Sequence, residues 1–403
     1  MRPRVARSKD MSFLAPPAGL LRERRGHAHA PVTFVELFFD LVFVFAITQL
    51  SHALLEDLSL RGVLQVGLLA MAVWWVWIYT SWLTNWLDPE RSPVRLGLFV
   101  LMLAGLVLST SLPRAFGDRG LAFAAAYVFM QVGRSAFMLW ALGSSKPTLT
   151  RSFQRIGAWF VASGVAWLAG AFAEGEARLA LWAVAVLIEY LGPSAGYWSP
   201  GLGRSSTGDW NIEGGHLAER CGLFVIIALG ESVLATGATF AGLVWTPETT
   251  AAFVVAFVGS VAMWWLYFDG VYEAASARIA GSDDPGRIGR SAYTYVHLPI
   301  VAGVIIAAVA DELTLHEPLG RLEPAASAAV LGGPALYLLG LLLFKRAVFG
   351  YWSPSPLGGL AMLAALVPLT AMLTPVLLAA GAATVLVIMA AWERRLQRRQ
   401  ART

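Results

Sequence analysis

The stretch VTFVELFFDLVFVFAITQLSHALL, residues 32–55, holds two acids, Glu36 and Asp40, in a run that is otherwise mostly apolar. At a rise of 1.5 Å per residue, about 20 apolar residues cross the roughly 30 Å hydrocarbon core of a bilayer. The stretch therefore predicts a membrane-spanning helix that carries two carboxyl groups near its start.

The composition of the whole chain agrees with this reading. Hydrophobic residues make up 57% of the 403 residues and charged residues 14%, and the mean hydropathy is +0.62, which is typical of an integral membrane protein. Apolar windows predict an all-α transmembrane bundle of about twelve helices, although the last two windows are separated so thinly that a re-entrant hairpin is an alternative. The windows are 32–55, 62–87, 95–112, 120–142, 154–173, 178–198, 217–240, 249–272, 291–311, 326–345, 356–372 and 374–392.

The net charge of +4 raises the question of a nucleic-acid partner, and the placement of the cations answers it. Seven of the thirty Lys and Arg residues precede the first window and five follow the last. The predicted cytoplasmic loops carry twelve, Arg220 among them, the opposite loops carry five, and Arg134 lies within the fourth window. By the positive-inside rule this predicts an inner-membrane protein with both termini in the cytoplasm.

Three pairs of segments recur in the same order along the chain. ELFFDLVFVFAITQL at Glu36 is echoed at Glu219, the Trp74–Trp75 pair at Trp264–Trp265, and RLGLFVLMLAGLVLST at Arg95 by the segment at Arg290, with offsets of 183, 190 and 195 residues. This pattern predicts two parallel six-helix repeats related by an axis along the membrane normal. The predicted domains are a basic tail (1–31), a first repeat (32–198), a connector (199–215), a second repeat (216–392) and a second basic tail (393–403).

Three segments of the chain carry a resemblance to a known family. ELFFDLVFVFAITQLSH, the helix WWVWIYT and HLAERCGLFVIIALGES together resemble the bacterial low temperature requirement A proteins over roughly residues 30–392. The resemblance implies a membrane protein connected with growth in the cold, and that family's molecular activity is not established.

A second resemblance concerns the first helix alone. The residues from Glu36 to Thr48 resemble the first-helix signature of lysosomal and bacterial potassium channels that are built from six-helix repeats. This chain departs from that signature, because Phe39 replaces a serine and the second half has Gly222 and Leu223 where the motif would recur.

Charged side chains inside the windows are the candidates for function. Each costs roughly 2.5–3.5 kcal/mol at a helix centre, so it is expected to face the bundle interior and to find a partner there. Glu231 is the strongest candidate, since Gly230 and Gly237 allow close helix approach around it. The predicted ion-pathway residues are Glu36, Asp40, Arg134, Glu189, Glu231, Asp269 and His297.

A structural alternative exists for the same residues. Buried acids can serve as hydrogen-bonding groups or as the counter-ion of Arg134, for which Glu189 and Asp40 are the expected partners. Glu36 has a further alternative, a position at the lipid headgroups where the helix dipole favours an N-terminal acid.

Aromatic residues offer a weaker signal. The tryptophans of the second window, from Trp74 to Trp86, fit either a ligand-binding box or an aromatic belt at a membrane face, and the belt is the expectation. Trp264 and Trp265 are expected to lie deeper, as core packing.

Enzymatic and metal-binding motifs are sparse. The chain has no G-x-S-x-G, H-E-x-x-H or phosphate-binding loop. His216, Glu219 and Arg220 form one compact polar triplet, which fits general acid–base chemistry or, as we expect, helix-end capping. The histidines at 27 and 29 are a weak metal candidate in a basic tail, and the single cysteine, Cys221, allows no internal disulfide. We expect neither an enzyme nor a cofactor.

The sequence thus predicts a proton- or cation-coupled transporter or a cation-conducting pore that uses intramembrane carboxylates. The alternative is a non-transporting membrane factor, structural or lipid-related, that supports growth in the cold. Expected partners are membrane lipids and a monovalent cation or proton, with no nucleic acid, and homo-oligomer formation stays open.

Overall fold

The computed structural model describes residues 19–22, 31–143, 146–321 and 323–400. Within these ranges the regular structure is helical, and strand pairing is confined to two isolated bridges, Leu21 with Leu87 and Ser199 with Gly203. This confirms the predicted all-α class.

Six helices form the first half of the chain, and their bounds follow the predicted windows closely. The helices are α1 (Phe34–Glu56), α2 (Leu60–Trp86), α3 (Ser92–Ser111), α4 (Gly120–Leu142), α5 (Pro147–Phe172) and α6 (Gly175–Leu191).

Six further helices follow the connector. They are α7 (Gly214–Gly242), α8 (Pro247–Tyr267), α9 (His297–His316), α10 (Pro324–Phe349), α11 (Pro354–Leu366) and α12 (Pro375–Gln400). Between α8 and α9 lie a π-helical turn (Phe268–Tyr272), two short helices (Glu273–Ala280 and Pro285–Ile288) and a second π-helical turn (Gly289–Tyr295).

Ten helical segments of the described chain are long and apolar enough to cross a membrane. The remaining two of the twelve predicted windows correspond to the shorter helices α6 and α11. The last two windows are separate helices, joined by a 3-10 turn (Val367–Leu369) and a short linker. The prediction of about twelve helices is confirmed, while the direction of each through a membrane stays a prediction.

Local sequence explains where several helices begin and end. Thr33 and Glu36 form a capping box at the start of α1. At the start of α7, the Glu213 carboxylate accepts from the backbone N–H groups of Gly215 and His216. Each cap provides acceptors for backbone N–H groups that have no partner within the first turn of the helix. Gly350, with φ at +84°, ends α10 in the left-handed conformation that a glycine adopts without strain.

The two halves meet where α1 and α2 contact α7, and α1 also contacts α9. We call the end of the bundle that carries the 199–215 segment the connector end. Within the second half, α9 and α10 pack at backbone distance, because a Cβ added at Gly303 would lie 2.5 Å from the Tyr337 nitrogen. Such close approach requires small residues at the crossing.

The tryptophan pairs lie opposite to expectation. Trp74, Trp75 and Trp77 are fully buried, whereas Trp264 and Trp265 are 46% and 36% exposed. The physical reason is the position of the helices. The central helix α2 is surrounded by α1, α4, α6, α7 and α9, while α8 has fewer neighbours and turns one face outward. The prediction of an aromatic belt on α2 and the prediction that Trp264 and Trp265 of α8 lie in the core are therefore both wrong.

Candidate functional site

A polar cluster joins the two halves near the connector end. Three helices contribute residues at four-residue spacing, which places the residues of each helix on one face. We call the cluster the junction network; its members are Arg22, Glu36, Asp40, Trp77, Ser81, Asn85, His216 and Arg220.

The Glu36 carboxylate is fully engaged. One oxygen accepts from Arg22 at 2.9 Å and from the backbone N–H and hydroxyl of Thr33, each at 2.9 Å. The other oxygen lies 2.9 Å from Nε2 of His216. With four donors around two oxygens, Glu36 has little capacity left for another ligand.

The hydrogen bonds around His216 indicate its tautomer. Asn85 accepts from the Glu213 N–H and donates to the Glu213 carbonyl, each at 2.8 Å, so its amide orientation is fixed. The same amide N–H₂ group lies 3.3 Å from Nδ1 of His216. Nδ1 is then the acceptor, and Nε2–H donates to Glu36. A neutral imidazole in this tautomer satisfies the contacts to Asn85 and Glu36, while the Arg22 Nη2 group, which is also a donor, lies 3.2 Å from the same Nε2.

Asp40 differs from Glu36 in that half of its carboxylate is unused. Oδ1 accepts from Trp77 Nε1 and from Arg220 Nη2, each at 2.8 Å. Oδ2 of Asp40 and Nη1 of Arg220 are both buried without a hydrogen-bond partner in the described chain. Buried polar atoms are nearly always satisfied, so an orphaned acceptor beside an orphaned donor marks a place for water, a proton or a small ligand.

The position of Arg220 corrects the sequence analysis. The count of cations assigns Arg220 to a cytoplasmic loop, although the seventh window, 217–240, includes it; in the structure Arg220 lies in the second turn of α7 with no solvent exposure. Its charge is compensated by Asp40 of α1, at 180 residues' distance along the chain. The bundle thus contains at least two buried arginines, Arg134 and Arg220, and the prediction that Arg134 alone lies within it is wrong.

Arg134 and Glu189 lie in a second buried cluster inside the first half. Arg134 donates to the Val76 carbonyl at 3.1 Å and to the side chain of Gln131. Gln131 in turn donates to Glu189 at 3.1 Å. The structure thus shows no direct ion pair for Arg134 in the described residues, and the expected pairing with Glu189 is relayed through an amide. The expected pairing with Asp40 is wrong, because Asp40 binds Arg220.

Glu189 is as saturated as Glu36. Besides Gln131, it accepts from Tyr127 at 2.5 Å, from Ser163 at 2.7 Å and from Trp167 at 3.0 Å. Four neutral donors disperse the charge without a cation, which favours a structural role for this acid.

The other predicted residues are not brought together. Glu231 is buried in α7 and makes no hydrogen bond to a described residue. Asp269 lies exposed in the first π-helical turn and accepts from Trp265 at 2.6 Å. His297 is buried at the start of α9, 2.8 Å from the Tyr267 hydroxyl. These three residues are separate from the junction network.

The polar triplet of the HLAER motif is also dispersed among different partners. His216 faces Glu36 and Arg220 faces Asp40, while Glu219 accepts from the backbone N–H of Val32 at 3.2 Å. The described ranges contain no group of three or more His, Cys, Asp or Glu residues suited to a metal ion. The histidines at 27 and 29 lie outside the described residues.

Besides Arg220, the structure buries four charged residues that the sequence analysis does not single out, Arg155, Arg178, Lys345 and Glu393, and it partly buries Asp311. Lys345 and Glu393 form a buried ion pair at 2.5 Å between α10 and α12, although both were assigned to loops or tails. Asp311 of α9 lies at the edge of its predicted window, and the sequence analysis does not name it.

A cavity of about 30 Å³ next to Arg134 is lined by Trp82, Trp86 and Trp210. One face of α2 therefore packs against α1 and α7, while another face forms a wall of this cavity.

The fold and the junction network define the class of protein: an α-helical, multi-pass membrane protein whose two halves meet at the buried Asp40–Arg220 ion pair. The family model of the bacterial low temperature requirement A protein (LtrA) matches residues 31–391. A protein of Rhizobium meliloti (strain 1021) that carries the name uncharacterized is 41% identical over 362 residues, which cover 90% of this chain and 88% of that relative. No solved structure matches the chain. The chain belongs to the LtrA family, and the resemblance stated from its motifs is confirmed.

Proposed function

We propose that the protein is a proton-coupled membrane transporter in which Asp40 takes up and releases the proton. The observation that carries this proposal is the pair of orphaned atoms, Asp40 Oδ2 and Arg220 Nη1, buried at the contact between the two halves. The carboxylate is held in place through Oδ1 and remains open at Oδ2. A proton-binding group requires both a buried position between the moving parts and an oxygen atom free to accept the proton, and Asp40 has both.

Protonation of Asp40 would change the charge of the pair. With Asp40 ionised the pair is neutral, and with Asp40 protonated the Arg220 guanidinium is left without a counter-ion. An uncompensated buried charge is strongly destabilising, so the contact of α1 and α2 with α7 is expected to rearrange. Since α7 belongs to the second half, proton uptake would bias the arrangement of the two halves, which is the coupling that alternating access requires.

The proposal takes a proton at this position rather than a larger cation. Arg220 lies 2.8 Å from Asp40, and its positive charge repels any metal cation that approaches the same carboxylate. A proton adds to Oδ2 without displacing the guanidinium. For the same reason the proposal favours a transporter over a cation-conducting pore, and it assigns no enzymatic activity.

Orientation in the membrane is part of the same proposal. We place the protein in the inner membrane with both termini and the connector in the cytoplasm, because Lys and Arg are concentrated in the terminal segments and in alternate loops. Reporter fusions at residue 403 and within 199–215 should report a cytoplasmic location. A connector outside the cell would contradict the orientation.

We also propose that the two halves are parallel repeats. What supports this is the recurrence of neighbours, since α1 contacts α2 and α3 just as their sequence equivalents α7, α8 and α9 contact one another. Likewise α5 contacts α6 as α11 contacts α12. In such a design the junction network lies between equivalent first helices, α1 and α7.

The experiment is proton flux into liposomes that hold the purified protein and a pH-sensitive dye. The substitution Asp40→Asn keeps the size and the hydrogen-bond acceptor but cannot take up the proton, so flux should fall about a hundredfold or more. The control is Asp118→Asn, which alters an exposed acid in a surface ion pair with Arg114. If the Asp40 variant folds and conducts protons like the parent at each pH, the transport proposal is wrong, and a non-transporting role for the junction becomes the better account.

A further inference from the structure

A further acid lies inside a helical segment that is apolar and long enough to span a membrane, and it is not part of the junction network. Asp311 is in α9, five residues before the last residue of the helix, and it is partly buried. It forms no hydrogen bond or ion pair with any described residue, in contrast to Glu36, Asp40 and Glu189. A carboxylate within a bilayer segment needs a partner, because its desolvation is costly.

Asp311 lines a small cavity between four helices of the second half. The cavity has a volume of about 30 Å³ and is lined by residues of α8, α9, α10 and α12. Its polar side chains are Ser260, Asp311 and Thr314, and no lysine, arginine or histidine lines it. The remaining wall is apolar, much of it alanine. We call it the Asp311 cavity.

The oxygen atoms of the cavity have unused acceptor capacity. Ser260 is buried and makes no hydrogen bond to a described residue. The Thr314 hydroxyl donates to the Ala310 carbonyl at 2.7 Å, which leaves its lone pairs available. Three side chains that present only oxygen atoms therefore share one small cavity.

Helix α10 adds a fourth oxygen. Pro334 lies inside α10 and has no backbone N–H, so the carbonyl of Val330 lacks its usual helical donor. Val330 and Pro334 both line the cavity. In membrane transporters, backbone carbonyls released at breaks in helices commonly complete sites for sodium ions or protons.

We propose that the Asp311 cavity binds a sodium ion, with Asp311, Ser260, Thr314 and the Val330 carbonyl as its ligands. One carboxylate balances one positive charge, whereas a divalent ion would keep a net charge in apolar surroundings. Hard oxygen donors suit an alkali cation, and the small volume favours sodium over potassium. The site lies at the opposite end of α9 from His297 and does not depend on the junction network.

The experiment is a sodium titration of the full-length protein in detergent, with ionic strength held constant by choline chloride. Sodium should raise the melting temperature in a saturable way, since a ligand that binds the folded state stabilises it. Potassium should give a weaker response at the same concentration. Calorimetric titration with sodium chloride supplies the dissociation constant independently of melting.

The substitution Asp311→Asn should abolish the sodium response. Ser260→Ala and Thr314→Val remove one ligand each and should weaken sodium binding about tenfold, an effect that a well-folded variant can report. The matched control is Glu312→Gln, the neighbouring acid, which does not line the cavity. Its dissociation constant should equal that of the parent.

Three results would overturn the inference. The parent protein could show no saturable sodium response, the Asp311→Asn variant could keep it, or Glu312→Gln could remove it. If sodium has no effect while Asp311→Asn abolishes a proton uptake measured on the parent, the cavity binds a proton and the sodium assignment is wrong. Because the readout is binding and not flux, failure here and failure of proton transport at Asp40 are separate results.

Discussion

The junction network and the Asp311 cavity both place carboxyl groups between helices of the bundle, but they differ in the partners that surround those groups. In the junction, Asp40 meets Arg220 and Glu36 meets Arg22 and His216, so each acid has a positive or hydrogen-bonding partner from a distant part of the chain. In the cavity, Asp311 faces two hydroxyl side chains and alanines, with no cation among the lining residues. The first region is internally balanced and the second is not.

This difference teaches how to separate structure from ligand binding among buried charges. Where the protein supplies the partner, removing one member leaves the other uncompensated, and the stability of the fold falls. Where the protein supplies no partner, the balance depends on an ion or a proton from outside, and stability should depend on the solution. Substitutions in the junction should therefore act at every sodium concentration, while substitutions at the cavity should act through sodium.

The largest effect is expected for Arg220→Gln. This change leaves Asp40 buried without its cation and should lower the free energy of unfolding by about 3–5 kcal/mol. The measurement is thermal unfolding in detergent. Arg61→Gln is the control, because the Arg61–Glu176 pair is 56% and 76% exposed and should contribute about 0–1 kcal/mol.

The double variant Arg220→Gln with Asp40→Asn sharpens the comparison. It removes both charges, so it should be more stable than Arg220→Gln alone. Strictly additive losses for the two substitutions would show that Asp40 and Arg220 do not depend on one another, and the junction would then resemble the cavity.

A smaller effect is expected for Trp77→Phe. The indole N–H donates to Asp40 at 2.8 Å in a fully buried position, and a hydrogen bond to a charged group contributes about 1.5–3 kcal/mol. Trp265→Phe removes the same chemical contact, to Asp269 at 2.6 Å, in an exposed position. That control should change the unfolding free energy by about 0.5 kcal/mol or less. Equal losses in the two variants would contradict the burial of the junction.

Close helix packing around the cavity gives the third prediction. A Cβ at Gly333 would lie 2.7 Å from the Ala307 nitrogen, whereas a Cβ at the neighbouring Gly332 meets nothing within 4 Å. Gly333→Ala should therefore lower the unfolding free energy by about 1–3 kcal/mol and weaken sodium binding, because Ala307 lines the cavity. Gly332→Ala should be neutral or slightly stabilising. A Gly333→Ala variant as stable as the parent would show that α9 and α10 lie farther apart.

The sequence was sufficient for the helices and for one side of the junction. Hydropathy located all twelve helical segments, and the spacing of Glu36 and Asp40 placed both acids on one helical face. The sequence analysis missed Arg220, because a cation near the start of an apolar window has the pattern of a loop residue. The partner that neutralises it lies on another helix, and contacts between distant helices leave no local pattern in a single sequence.

Position within the bundle was equally hidden. Trp74–Trp75 and Trp264–Trp265 occur in similar apolar runs, yet the first pair is buried and the second is exposed. The number of neighbouring helices decides this outcome, and it depends on tertiary packing. Asp311 was missed for a related reason: two adjacent acids look like the end of a helix, and only the packing of α8, α10 and α12 reveals that the first of them lines a cavity.

The smallest effect is expected for an acid that belongs to neither region. Asp57 follows the end of α1, is exposed, and accepts from the Ser59 N–H at 2.9 Å. Hydrogen bonds from the Ser59 side chain and backbone lower the pKa of Asp57 below its ordinary value. Its contribution to stability is therefore present above an unfolded-state pKa of about 3.9 and is lost as the pH falls through the folded-state value.

Asp57→Asn should accordingly melt slightly below the parent at neutral pH, and the gap should close in acid. The measurement is the melting temperature of both proteins from about pH 7 to about pH 3, where protonation removes the charge that distinguishes them. A gap that persists unchanged in acid would mean that the charge of Asp57 is irrelevant and that geometry alone matters. A gap as large as that of Arg220→Gln would contradict the distinction between exposed and buried acids on which the comparison of the two regions depends.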